Sequence, residues 1–190
     1  ATALGSSFDV LQYDTKTKET TRLTNNKLQN YHPQANKTRI AWKQSPITIP
    51  VHAFAPPYSL IVASVDNPLT QQILSTVVKR FWLVDNLLVW EDIIGRQIVR
   101  EEDIIGSQTS ININDGVSQY SLPASNIQVV AVGDGKVIYS KNNATWVWQP
   151  TKEPYQLFAF VINRPKFDSA TGMLYFTTGT ESSLYRIKLP

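Results

Sequence analysis

The chain has 190 residues, of which 42% are hydrophobic and only 17% charged, with a formal net charge of +3. Such a chain can bury a core, and its scattered basic residues exclude a nucleic-acid surface. The absence of cysteine excludes disulfides, thiolate zinc sites and cysteine nucleophiles, eleven prolines leave little room for long helices, and no run approaches the ~18 apolar residues of a membrane span.

In chain order, short apolar strands ending in an aromatic recur. Ala1 to Leu4 reads as a clipped first member, followed by Arg39 to Trp42, Leu87 to Trp90, Lys136 to Tyr139 and Met173 to Phe176. The first residue is not Met, so a leader, an anchor or more of a longer protein is expected before it. Each of these strands is followed by one with period-2 alternation: Phe8 to Asp14, Ser59 to Asp66, Thr109 to Asn114, Thr145 to Gln149 and Ser183 to Leu189. A turn and a third strand follow in four units, as ETTRLT, QQILSTVV, VSQYSL and YQLF. Asn114-Asp115-Gly116 is the clearest hairpin signal, because Gly supplies a positive φ at no steric cost, and Gly133-Asp134-Gly135 reads as a turn rather than a phosphate loop. QNYHPQAN, VKRFWLVDN and NIQVVAVGDG precede the apolar strands; the last two look like strand, turn, strand.

A small antiparallel sheet repeating every ~40 residues cannot bury both faces until neighbours stack on it, which is the pattern of propeller blades. The expected fold is all-β, a propeller-like array of about four to five small antiparallel sheets, with a β-sandwich as the alternative. The whole chain reads as one β-repeat domain, a segment of a longer protein in one reading, with approximate units 1–34, 35–80, 81–130, 131–167 and 168–190. Asp9 to Asp14, Thr17 to Thr24, Pro33 and Arg39 to Trp42 together resemble the TolB-like repeat of bacterial β-propellers, and Asp85 to Asp92 is similar to the first strand of related cell-surface repeats. The match covers about residues 8–42 and is only patterned elsewhere; the "S-P-D-G" turn usual in such repeats is replaced by Ala35-Asn36-Lys37-Thr38.

Chemistry is sparse in the sequence. His32 and His52 have no metal-ligand spacing, no G-x-S-x-G elbow is present, and neither a metal nor a cofactor is expected. Glu91, Asp92, Glu101, Glu102 and Asp103 are concentrated around the duplicated pentapeptide EDIIG and could pair as glycosidase carboxylates do, but Arg96 and Arg100 lie between them and a salt-bridged hairpin also accounts for them. Two insertions separate first and second strands in successive units. They nominate Ile47, Pro50, His52, Phe54, Pro56 and Tyr58 in one, and Glu91, Arg96, Arg100 and Glu102 in the other, as contact-loop residues, with both insertions expected on one face. Trp146 and Trp148, two apart on one strand, are stacking candidates; Trp42 and Trp90 are expected in the packing between sheets.

The expected function is a non-enzymatic exported domain, at the cell surface, extracellular or periplasmic, that contacts a protein or a surface polysaccharide. Two alternatives stand beside it: a subunit of a pilus, filament or surface layer that self-assembles through edge strands such as SLYRIKLP, and a carbohydrate-active enzyme using the 91–103 acids.

Overall fold

A computed structural model describes residues 8–45, 58–98, 104–122, 127–179 and 183–190. All regular structure among them is β-strand, in small antiparallel sheets, none of which closes into a barrel. Two compact units divide the chain, Ala1–Lys79 and Arg80–Pro190.

The first unit holds the hairpin β1 (Leu11–Tyr13) and β2 (Thr20–Arg22), then β3 (Gln29–Ala35), β4 (Arg39–Ser45), β5 (Tyr58–Ser64) and the beginning of β6 (Gln71–Val84), paired in that order. Alternation along β4 and β5 puts Ile40, Trp42, Ile61 and Ala63 on one face, where they bury Val10 and Leu23 of the hairpin. Asn30 closes the edge of this cluster: it accepts from Trp42 Nε1 at 3.1 Å and Gln44 Nε2 at 3.0 Å, and donates to the Phe8 carbonyl. The polar segment QNYHPQAN, read from the sequence as preceding the repeat's strand, is itself strand β3. Pro33 is tolerated because the ladder slips between Tyr31 and Gln34, with His32 at φ 52°, so the missing N–H falls at a bulge. Arg164-Pro165 repeats the device in the later strand Ile162–Asp168, with Arg164 at φ 48°.

In the second unit the end of β6 leads to β7 (Leu87–Ile98), β8 (Ile104–Asn114) and β9 (Gln119–Leu122); a second sheet has β10 (Ile127–Gly133), β11 (Lys136–Lys141), β12 (Ala144–Trp148) and β13 (Tyr155–Phe158); a third has β14 (Ile162–Asp168), β15 (Met173–Thr178) and β16 (Leu184–Lys188). Each sheet runs in sequence order because its hairpins are short. Asp134-Gly135 and Asn142-Asn143 turn with both φ values positive, the geometry of the tightest hairpins, which Asn, Asp and Gly adopt most readily. Asn114-Asp115-Gly116 opens a longer loop, in which the Asp115 N–H reaches the Ser118 carbonyl at 3.2 Å.

The three sheets stack face to face. Leu87, Val89, Ile111 and Ile113 of the first pack against Val129, Val137, Tyr139 and Trp148 of the second. On the second sheet's other face, Ala131, Ile138 and Val147 pack against Ile162, Leu174 and Phe176 of the third. The aromatics that end three of the apolar strands share one role, since Trp42, Tyr139 and Phe176 all face the sheet that precedes them in the chain. Close approach is allowed by Gly133, where a Cβ would lie 2.8 Å from Cβ of Phe167.

Candidate functional site

The duplicated EDIIG segment begins within a buried seam. Glu91 follows the alternation of Leu87 and Val89 toward the second sheet and is 1% exposed. Its carboxylate accepts from Arg80 through Nε and Nη2, both at 2.9 Å, and from the Val129 N–H at 2.7 Å. Such a fork fixes both oxygens, so Glu91 ties β6, β7 and β10 together and offers no face to solvent. Asp92 accepts from Trp90 Nε1 at 3.1 Å and Asn112 Nδ2 at 2.9 Å. The insertion itself continues the β7–β8 ladder out to Ile98 opposite Ile104. Arg96 lies in that ladder opposite Ser107; Arg100 and Glu102 fall outside the described residues, as do Ile47, Pro50, His52, Phe54 and Pro56.

Trp146 and Trp148 share one face of β12, and that face is turned inward. Trp148 belongs to the core and meets Tyr120 edge-on at 5.1 Å, while Trp146 packs beside it with Lys141 Nζ 5.8 Å from its ring centroid. Trp148 is buried, whereas Trp146 is half-buried on that face. Trp146 Nε1 is buried with no hydrogen-bond partner.

Tyr58, from the first nominated insertion, stands in an aromatic row. Its ring meets Tyr31 edge-on at 5.7 Å and lies under Lys43 Nζ at 4.2 Å. Burial pushes the Tyr58 phenol up, with the neighbouring Tyr31 adding to it, and burial pushes the Lys43 ammonium down. Lys43 also donates to the Lys79 carbonyl at 3.3 Å. Among the described residues no three His, Asp or Glu side chains gather as a metal site would require.

A surface feature that the sequence pattern does not announce lies between β13 and β16: a groove of about 770 Å3 lined chiefly by Phe158, Phe160, Val161, Phe176 and Tyr185. Phe158 stacks on Phe160 at 5.0 Å and meets Phe176 at 5.1 Å, and Phe176 stacks on Tyr185 at 5.8 Å. Phe160 and Tyr185 remain 43% and 42% exposed, an arrangement that leaves aromatic surface open rather than sealed. The backbone beneath is held by Thr145, whose hydroxyl donates to the Phe160 carbonyl at 2.6 Å and accepts from the Ile162 N–H at 3.2 Å. The alternation YQLFAF was the available signal, but alternation assigns residues to faces without telling which face stays uncovered.

No family model matches the chain, and no curated protein sequence matches it.

Proposed function

We propose that the chain is a non-enzymatic, exported or cell-surface module of propeller-like sheets, whose work is to contact a protein or a surface polysaccharide. The observation that carries this reading is the aromatic groove beside β16, open to solvent on a scaffold of stacked sheets. Rigid sheets with an exposed apolar patch are suited to holding a partner. The two described acids of the EDIIG cluster support it as well, because Glu91 and Asp92 are engaged in structural bonds. The TolB-like resemblance of residues 8–42 supports the propeller-like arrangement.

The test is a hydrolysis and lyase panel over neutral and acidic polysaccharides, run beside a glycan-binding array and surface-protease accessibility in intact cells. Binding without turnover, and accessibility from outside, are the expected results. Turnover that disappears in Glu102→Gln would replace this reading with a carbohydrate-active enzyme.

The edge strand favours one other reading, a subunit of a polymeric surface assembly. Among the described residues β16 pairs with β15 alone, and an unpaired edge is a template for another strand.

A further inference from the structure

We propose that the edge of β16 left uncovered by any described strand receives an extended acidic segment of a partner protein as an added antiparallel strand, with apolar side chains toward the aromatic groove and carboxylates on the opposite face. This rests on the interaction-module reading and names the chemistry of its partner.

The sheet β10–β13 shows what an added strand would meet. There the third strand, β12, is covered by a fourth, β13, with Val147 opposite Tyr155 and Trp146 opposite Gln156. In the third sheet β16 occupies the place of β12, and no described strand lies beyond it. Directly opposed residues of paired strands share a face. A residue placed opposite Tyr185 therefore points toward Phe158, Phe160 and Phe176, where a large apolar side chain would cover exposed aromatic surface.

The alternate positions carry charge. Across the third sheet, Lys166, Tyr175 and Arg186 stand in one row, and in the next row Met173 lies between Asp168 and Lys188, with Lys188 at the uncovered edge. The corresponding row of the second sheet is Ala131, Ile138 and Val147, apolar because another sheet covers it. Lys166, Arg186 and Lys188 are exposed. Strand neighbours of Arg186 and Lys188 on this face are best carboxylates, since like charges directly opposite destabilise a pair. The same rule disfavours a second copy of β16 paired about Arg186 or Ile187, because those registers set Arg186 against itself or against Lys188. Main-chain pairing gives affinity, and the alternating side chains give selection.

The probe is a fluorescently labelled, blocked peptide that spans β16 and alternates leucine with glutamate around a central phenylalanine, titrated by anisotropy against the full chain. Saturable binding that weakens as salt rises is expected, with about ten-fold loss for the peptide bearing lysine in place of glutamate and for the Arg186→Glu/Lys188→Glu protein. Proline at the peptide's centre, which removes a ladder donor, should abolish binding, and Phe160→Ala should weaken it. A lysine peptide recovered by the charge-reversed protein would seal the pairing. No saturable binding, equal binding of a scrambled peptide, or indifference to proline would overturn the proposal while leaving the module reading to its own panel. Concentration-dependent self-association through β16 in sedimentation would overturn it in favour of a second copy.

Discussion

Arg80 and Glu91 face each other as a fork, with Nε to Oε2 and Nη2 to Oε1 both 2.9 Å, and the carboxylate also takes the Val129 N–H from the neighbouring sheet. The glutamate is buried while the arginine stays partly exposed, so the two partners are not equivalent. Removing the arginine strands a buried charge that still has one donor; removing the glutamate frees a cation that water can reach but orphans Val129. Arg80→Ala, which strands the buried carboxylate, should lower stability by about 3 kcal/mol and Glu91→Ala by somewhat less, with Glu91→Gln the mildest because an amide oxygen can keep the Val129 bond. Urea denaturation measures the order. Losses within the scatter of surface substitutions would contradict the buried seam.

Thr145 uses its hydroxyl twice, toward the Phe160 carbonyl and from the Ile162 N–H, whereas Thr109 donates once, to the Ile127 carbonyl at 2.9 Å. Both are buried. Thr145→Val, which keeps the shape, should cost about 1–3 kcal/mol, and Thr109→Val less. Thr145→Val should also loosen Phe160, visible as altered ring resonances by NMR.

Gly133 gives way to Phe167, and adding a methyl there drives a Cβ to 2.8 Å from Cβ and 2.9 Å from Cγ of the ring. Overpacking of this kind costs about 1–3 kcal/mol. Gly133→Ala should be destabilising in the wild-type background and much less so with Phe167→Gly, which removes both of the atoms that the new methyl would meet. A thermal double-mutant cycle with no coupling would remove Phe167 as the cause.

The tryptophans of β12 should separate. Trp148→Ala empties a core position against Tyr120 and should cost about 3–5 kcal/mol. Trp146→Phe discards an indole N–H that has no partner, so its lost area and its relieved donor oppose each other, and the net change should stay under about 1 kcal/mol. Chemical denaturation of both variants checks the contrast.

Acid should act at the turns. Hydrogen bonds from the Lys16 and Thr17 N–H groups hold Asp14 below its ordinary value of 3.8; the Ser118 and then the Val117 N–H do so for Asp115, and the Thr171 hydroxyl and then the Ala170 N–H for Asp168. A carboxyl depressed in the folded state contributes stability that is complete above its unfolded value and is lost as pH falls through the folded one. The melting temperature should therefore decline below about pH 4, and Asp14→Asn/Asp115→Asn/Asp168→Asn should flatten that decline. An unchanged slope would show that these turns do not carry it.

Much of this architecture is written locally. Period-2 alternation in TWVWQ and SLYRIKL marks strands, the aromatic at Trp42, Tyr139 and Phe176 marks the packing position, and Asp134-Gly135 marks a turn, because each depends on neighbours a few residues away. What covers each face is decided at long range. Glu91 reads as part of a charged loop until Val129, 38 positions on, supplies the donor that buries it. Trp148 reads as part of a platform until Tyr120 and the first sheet's apolar face close over it. Pro33 would interrupt a regular ladder, and only the bulge between Tyr31 and Gln34 removes the need for its N–H. The groove at Phe160 and Tyr185 has the opposite cause: strand pairing brings the rings together, but β16 carries no strand beyond it among the described residues, and pattern along a chain does not say where a sheet stops.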